Sequence, residues 1–200
     1  MKKFLIFLVL CLFLISCFSV NVIASISGAE PPKANQPLLI TNAGQGPGGK
    51  MARLLVIRSK VVEDWTYNAE PLEKDLNEKP YKTLLVVIGS SAKGLGASGI
   101  TVDDEIARLD RMIKEAKRLG IQIIAAQIEG KARRDNVGGP NERSIDAIAP
   151  FADHIIVKKD ANTDGRFTKI AQEKEIPLTI IDETIDFMKI VEKMYQKPSE

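Results

Sequence analysis

The chain has 200 residues, 44% of them hydrophobic and 27% charged, with a formal net charge of +2. That length and composition suit one folded domain with a full core and exclude an intrinsically disordered chain. The near balance of charge excludes bulk electrostatic attraction to nucleic acid or to an anionic membrane.

Met1-Lys2-Lys3 is a short basic head and Phe4 to Val20 is almost wholly apolar. This is the pattern of an export signal, so residues 1–24 are set apart from the fold. Two processing routes stay open. Val22-Ile23-Ala24 and Ser27-Gly28-Ala29 offer the small residues a signal peptidase needs, which would release a secreted protein. Leu14-Ile15-Ser16-Cys17 resembles a lipobox, which would put an acyl anchor on Cys17 and hold the protein at the outer face of the cytoplasmic membrane. An uncleaved anchor is a third route, since an apolar run of about 17 residues barely crosses a bilayer. The signal takes two of the 28 basic residues and none of the 26 acidic ones, so the remainder is close to neutral. Both cysteines, Cys11 and Cys17, lie in it. The exported remainder therefore has no disulfide and no thiol nucleophile, and packing alone must hold it together.

Residues 25–36 are rich in small residues and proline and read as a flexible tether. Residues 37–196 read as a single α/β domain. Pro37 to Asn42 predicts the first strand, Ala43 to Gly49 a loop, and Lys50 to Lys60 a helix. Val61 to Ala69, with Trp65 and Tyr67, predicts a short edge strand, and Pro71 to Leu76 a helical turn or two. Thr83 to Ile88 is the central strand, an apolar run that stops at Gly89. Thr101 caps a helix to Leu119 whose first turn carries Asp103, Asp104 and Glu105 and whose buried stripe is Ile106, Leu109, Ile113 and Ala116. Ile121 to Ile128 is a strand, Glu129 to Asn141 a polar loop, Glu142 to Ala149 a short helix. His154 to Val157 is a strand, Gly165 to Lys174 a helix, Pro177 to Ile181 the last strand and Glu183 to Tyr195 the closing helix. Strand and helix alternate, which predicts a three-layer sandwich with a parallel sheet of five or six strands and helices on both faces. A flavodoxin-like or Rossmann-like winding places the second strand outside the first and the third on its other side.

In such a sheet a ligand binds beyond the strand C-termini where the winding reverses, between the first and third strands. The loops leaving those strands, Thr41 to Gly49 and Gly89 to Gly99, hold eight of the fourteen glycines. Glycine lets backbone N–H groups face a ligand, and each loop opens a helix whose positive end favours an anion. The candidate binding set is Thr41, Asn42, Gly44, Gly46, Lys50, Ser90, Ser91, Lys93, Gly94 and Gly96, with Arg133 and Arg134 at the rim. The plain alternative is that short βα loops need glycine to turn, whatever they bind. Lys131, Arg133, Arg134 and Arg143 read either as a clamp for an anion or as a solvated loop balanced by Glu129, Asp135 and Glu142.

Several motifs match only in part. Gly44 to Lys50 fits P-loop spacing, but Met51 stands where a magnesium-holding Ser or Thr belongs and Pro47 removes an N–H. Gly94 to Gly99 fits GxGxxG, five residues late after the strand and without the acidic partner about 20 residues on. Asp160, Asn162 and Asp164 match the first half of a calcium loop, yet its twelfth position is Ala171 and Lys158, Lys159 and Arg166 crowd it, so a helix-capping turn fits better. His154, the single histidine, begins a strand behind the expected site and reads as a packed residue. No cofactor and no metal is implied.

From the glycine loops onward the chain resembles a family of exported bacterial proteins defined only as a domain of unknown function. The resemblance rests on Ile40 to Gln45, Gly89 to Gly96, Gly130 to Arg134, Asp160 to Gly165 and Phe167 to Ala171, and spans about residues 37–195. It implies export and an α/β fold and assigns no roles to residues. The expected function is an extracytoplasmic binding protein for a small, polar, anionic molecule. The alternative is a hydrolase or transferase with Ser90 or Ser91 as nucleophile and Lys93 or Lys50 as base, although a GxSxG elbow is lacking. A third reading is a protein–protein module that uses the Trp65 edge. The sequence leaves the oligomeric state open.

Overall fold

The computed structural model describes residues 25–196. The expected export signal, with Cys17 and its lipobox, lies outside the described residues. Among the described residues no helix is long and apolar enough to cross a membrane.

The strands are β1 (Ile26–Gly28), β2 (Leu38–Ala43), β3 (Trp65–Tyr67), β4 (Thr83–Ile88), β5 (Gln122–Gln127), β6 (His154–Lys158) and β7 (Leu178–Ile181). The helices are α1 (Gly48–Ser59), α2 (Ala92–Ser98), α3 (Val102–Arg118), α4 (Pro140–Ile148), α5 (Arg166–Lys174) and α6 (Asp186–Tyr195). They form a mixed α/β fold around one sheet in the order β1-β7-β6-β5-β4-β2-β3. Every pairing is parallel except β1 with β7. The winding is flavodoxin-like: β3 lies outside β2 and β4 on its other side, so the chain reverses between β2 and β4.

The sheet is buried on both faces because its strands are apolar at successive positions, not alternate ones. Leu39, Leu84, Val86, Ile123, Ala125 and Ile155 share one core with Leu109, Met112 and Ile113 of α3, Ile145 of α4 and Phe167 of α5. Leu38, Ile40, Leu85, Val87, Ile124 and Ile156 share the other with Ala52 and Val56 of α1 and Phe187, Ile190 and Val191 of α6. At the start of α3, Thr101 Oγ1 accepts from Asp104 N at 3.1 Å and Thr101 N donates to Asp104 Oδ2 at 2.9 Å. This capping box satisfies two of the free amides of the first turn.

The sheet has seven strands where the sequence predicts five or six. The added one is β1, which lies in the segment read as a tether. Its Ile26 pairs with Ile181 and its Gly28 with Thr179. Gly28 has φ +82, and a Cβ there would meet the Leu178 carbonyl oxygen at 2.4 Å, so only glycine fits. From β1 the chain runs under the N-terminal ends of the strands. Ala34 N donates to Met194 O at 3.0 Å, Thr83 Oγ1 to Asn35 O at 2.8 Å and Gln122 Nε2 to Lys33 O at 3.1 Å. Residues 25–36 are therefore a fixed strap. Its small, proline-rich composition suits an extended chain that takes its hydrogen bonds from the backbone and side chains beneath it.

Candidate functional site

The two glycine loops meet. Gln45 and Ser90 form an isolated antiparallel bridge, with Gly46 N donating to Gly89 O at 2.9 Å and Ser91 N to Gly44 O at 2.8 Å. The approach is too close for side chains: a Cβ on Gly46 would meet Gly89 O at 2.3 Å, and one on Gly94 would meet Gln45 O at 2.0 Å. These two glycines are required for loop-to-loop packing.

That contact changes what the backbone can offer a ligand. Gly44 N donates to Glu105 Oε1 at 2.8 Å, Gly48 N to Glu129 Oε1 at 2.9 Å, Gly49 N to Asn42 Oδ1 at 2.9 Å and Ser90 N to Asn141 Oδ1 at 2.6 Å. Gly89 N donates to Ala43 O at 2.9 Å and Gly94 N to Ser91 Oγ at 3.1 Å. The amides expected to cradle an anion are thus occupied by the protein's own acceptors. The seat at the start of α1 is filled by Glu129. Its carboxylate also accepts from Arg133 Nε at 2.7 Å, and Arg133 Nη1 reaches Ser90 O at 3.1 Å.

A second internal carboxylate supports the first loop from α3. Glu105 and Arg108 have side chains 1% and 6% exposed and pair at 2.8 Å. Gln45 Nε2 donates to both Glu105 oxygens at 3.3 Å. Arg108 donates to Asn42 O and Pro71 O, each at 3.0 Å. One buried pair therefore ties together the end of β2, the first glycine loop and the segment after β3. Each charge is compensated by its partner and by further hydrogen bonds, as burial requires. The signal for it is in the sequence: Glu105 lies four residues before Leu109 and seven before Met112, on the apolar stripe of α3.

Above the joined loops lies an open cleft of about 540 Å³ at the C-terminal ends of β2 and β4. Of the candidate residues it gathers Asn42, Gly46, Lys50, Ser91, Lys93, Gly94 and Arg133 in its lining. Gln45, Tyr67, Ala69 and Glu70 also line it and were not among the candidates. Asn42 Nδ2 donates to the Tyr67 hydroxyl at 3.3 Å, and the Arg53 guanidinium sits over the Tyr67 ring at 5.9 Å. Lys50 and Lys93 are exposed, and neither pairs with a carboxylate among the described residues.

The other candidates are elsewhere. Thr41, Gly44 and Ser90 are buried behind the cleft. Gly96 is exposed on α2 with nothing within 4 Å of a Cβ built on it. Arg134 turns away to Glu142 at 2.7 Å and Asp164 at 2.6 Å, beneath α5. Its guanidinium holds the Asp164 carboxyl down at about 2. Arg143 pairs with Asp103 at 2.5 Å. The basic loop thus divides into separate ion pairs instead of converging on one anion.

The remaining motifs are occupied too. Asn162 Oδ1 accepts from Phe167 N at 2.9 Å and Thr168 N at 3.3 Å, capping α5, while Asp160 pairs with Lys158 at 3.3 Å. Among the described residues no three His, Cys, Asp or Glu side chains are grouped to hold a metal ion. His154 is buried against the Thr179 hydroxyl at 2.7 Å, and burial pushes its pKa down to about 4. Ser90 is 5% exposed, and Ser91 Oγ is engaged as the cap of α2. No lysine hydrogen-bonds to either hydroxyl among the described residues, so the serine–lysine arrangement is not assembled.

Fold and cleft together define an α/β protein of flavodoxin-like winding, open at the C-terminal ends of its central strands. The chain belongs to the family described as Domain of unknown function (DUF6305), whose model matches residues 35–195. Comparison with curated proteins gave no match. Among solved structures it is similar to the psychrotrophic esterase EstA from Pseudoalteromonas sp., inhibited by monoethylphosphonate, with 12% identity over 79% of this chain and 93% of that one and a TM-score of 0.39. It is also similar to a GDP-L-fucose synthetase from Naegleria fowleri, with 8% identity over 80% of this chain and 52% of that one and a TM-score of 0.37. For TesA the identity is 12% over 70% and 76% of the two chains and the TM-score is 0.29.

Proposed function

We propose that the protein is an extracytoplasmic binding protein for a small, polar, anionic molecule, held by side chains in the cleft between the loops after β2 and β4. The observation that carries this reading is the pair of exposed lysines, Lys50 and Lys93, each in the first turn of a helix and each lining the cleft without a carboxylate partner among the described residues. Gln45, Asn42, Ser91 and the Tyr67 ring surround them with hydrogen-bonding and stacking groups, a mixture suited to a polar ligand in an open pocket. Glu129 already occupies the α1 amide seat, so recognition falls to these side chains and not to the loop backbone.

Thermal-shift titration with inorganic phosphate, sulfate, sugar phosphates and small dicarboxylates tests the reading. At least one probe is expected to raise the melting midpoint in a saturable way. Replacing Lys50 and Lys93 together by alanine is expected to weaken that probe by about tenfold or more. An unchanged affinity in the double variant would overturn the assignment.

A further inference from the structure

The cleft lining contains a third charge that pairs with no basic side chain among the described residues, and its sign is opposite. Glu70 follows β3 and lines the same cleft as Lys50 and Lys93. Its carboxylate accepts a hydrogen bond from Ser98 Oγ at the end of α2, and its backbone N–H donates to Asn68 Oδ1 at 3.0 Å. The bond from Ser98 holds the carboxylate, and the bond to Asn68 fixes the backbone that carries it. Elsewhere on the surface, charges brought close together are paired: Arg143 with Asp103, Lys114 with Asp110, Arg118 with Glu115. In this cleft Arg133 is paired with Glu129, whereas Lys50, Lys93 and Glu70 form no ion pair among the described residues.

Lys93 and the Glu70 carboxylate sit toward opposite ends of one short helix. Lys93 lies in the first turn of α2 and Ser98, which holds the Glu70 carboxylate, closes it. Five residues advance about 7.5 Å along the axis of an α-helix, the scale of one small molecule carrying both charges, and no direct ion pair joins Glu70 to Lys50 or Lys93. The lining between them is uncharged and low: Gly94, Ala97, Ala69 and the Tyr67 ring leave room for a carbon skeleton. A ligand with negative charge alone would engage the lysines and bring its charge toward the Glu70 carboxylate, whose hydrogen-bond partner is the neutral Ser98 hydroxyl. A ligand cation beside Glu70 adds a charge-assisted hydrogen bond that a purely anionic ligand cannot make.

We infer that the ligand carries a cationic group beside its anionic one, and that Glu70 receives it. The chemical class is a small zwitterion of the amino-acid type, with carboxylate toward Lys50 and Lys93 and ammonium toward Glu70. This rests on the reading of the cleft as a ligand site.

Isothermal titration of the protein with glutamate and aspartate, with their N-acetyl forms, and with glutarate and succinate tests it. These probes share skeletons and differ in the ammonium group. Either free amino acid is expected to bind at least about tenfold more tightly than its acetylated and deaminated counterparts. Glu70→Gln, at an exposed position, is expected to bring that ratio to about one, while Lys93→Ala weakens all the probes of a set alike. Equal binding of the three forms, or a ratio that survives Glu70→Gln, overturns the inference. If the anions of the thermal-shift panel bind and the ammonium group confers nothing, this inference alone falls. If no probe of either panel binds, the cleft reading falls and takes this inference with it.

Discussion

His154 shows how one buried side chain sets a pH limit on the fold. It is the single histidine of the sequence, and burial beside Thr179 lowers its pKa from an ordinary 6.5 to about 4. The folded state thus prefers the neutral ring, whereas the unfolded chain takes up a proton near its ordinary value. The stabilisation is complete above about pH 6.5 and is lost as pH falls toward 4, at up to about 1.4 kcal/mol per unit. The urea midpoint is expected to fall across that window in the native protein, and to fall less in a His154→Gln variant. NMR titration of the ring in the folded protein should give a midpoint near 4. At the same scale, the sequence shows Glu105 on the apolar stripe of α3, but not its partners. Gly44 and Gln45 lie 61 and 60 residues away, and a contact of that range depends on the winding of the sheet, not on local pattern.

At the scale of elements, α2 is the weakest helix around the cleft. It has seven residues, one buried side chain (Leu95), and glycine at positions 94 and 96. The two glycines have different reasons to be there. Gly94 packs its Cα against the Gln45 carbonyl, whereas Gly96 faces open space. Gly96→Ala is expected to stabilise the protein by about 0.5–1 kcal/mol by restricting the unfolded chain and favouring the helix. Gly94→Ala is expected to destabilise it by more than that, because a Cβ 2.0 Å from a carbonyl oxygen forces the two loops apart. Denaturant melts of the two variants should shift in opposite directions. From sequence both residues belong to one glycine-rich loop. The order of the strands, the cap at Thr101 and the stripe of α3 were legible because each is written in periodicity or in a short motif. The backbone accounting of the loops was not. Whether an amide is free or already bonded depends on Glu105, Glu129 and Asn141, which arrive from three later segments.

For the whole molecule, the main departure from the sequence reading is the strap. A segment rich in small residues and proline has no apolar period to mark it as a strand, yet β1 needs only three residues and one exposed sheet edge to form. Its partner β7 would otherwise present bare N–H and C=O groups, the usual template for unwanted pairing. A chain that begins at Pro37 is expected to melt roughly 5 °C or more below one that begins at Ser25, and to self-associate at high concentration. Differential scanning calorimetry and sedimentation velocity of the two forms check this.

β1 also fixes where the chain enters the domain. It runs antiparallel to the rest, so Ser25 stands beside Asp182, past the C-terminal end of β7, with Asp182 N donating to Ser25 O at 3.0 Å. That is the end of the molecule on which the cleft opens. Four strand spacings separate β1 from β4, or about 19 Å across the sheet. The chain therefore enters the domain at the same end as the mouth of the cleft, and not at the end of its floor. Anything tied to the domain at Ser25 would share that end with Lys50, Lys93 and Glu70, some four strands away across the sheet.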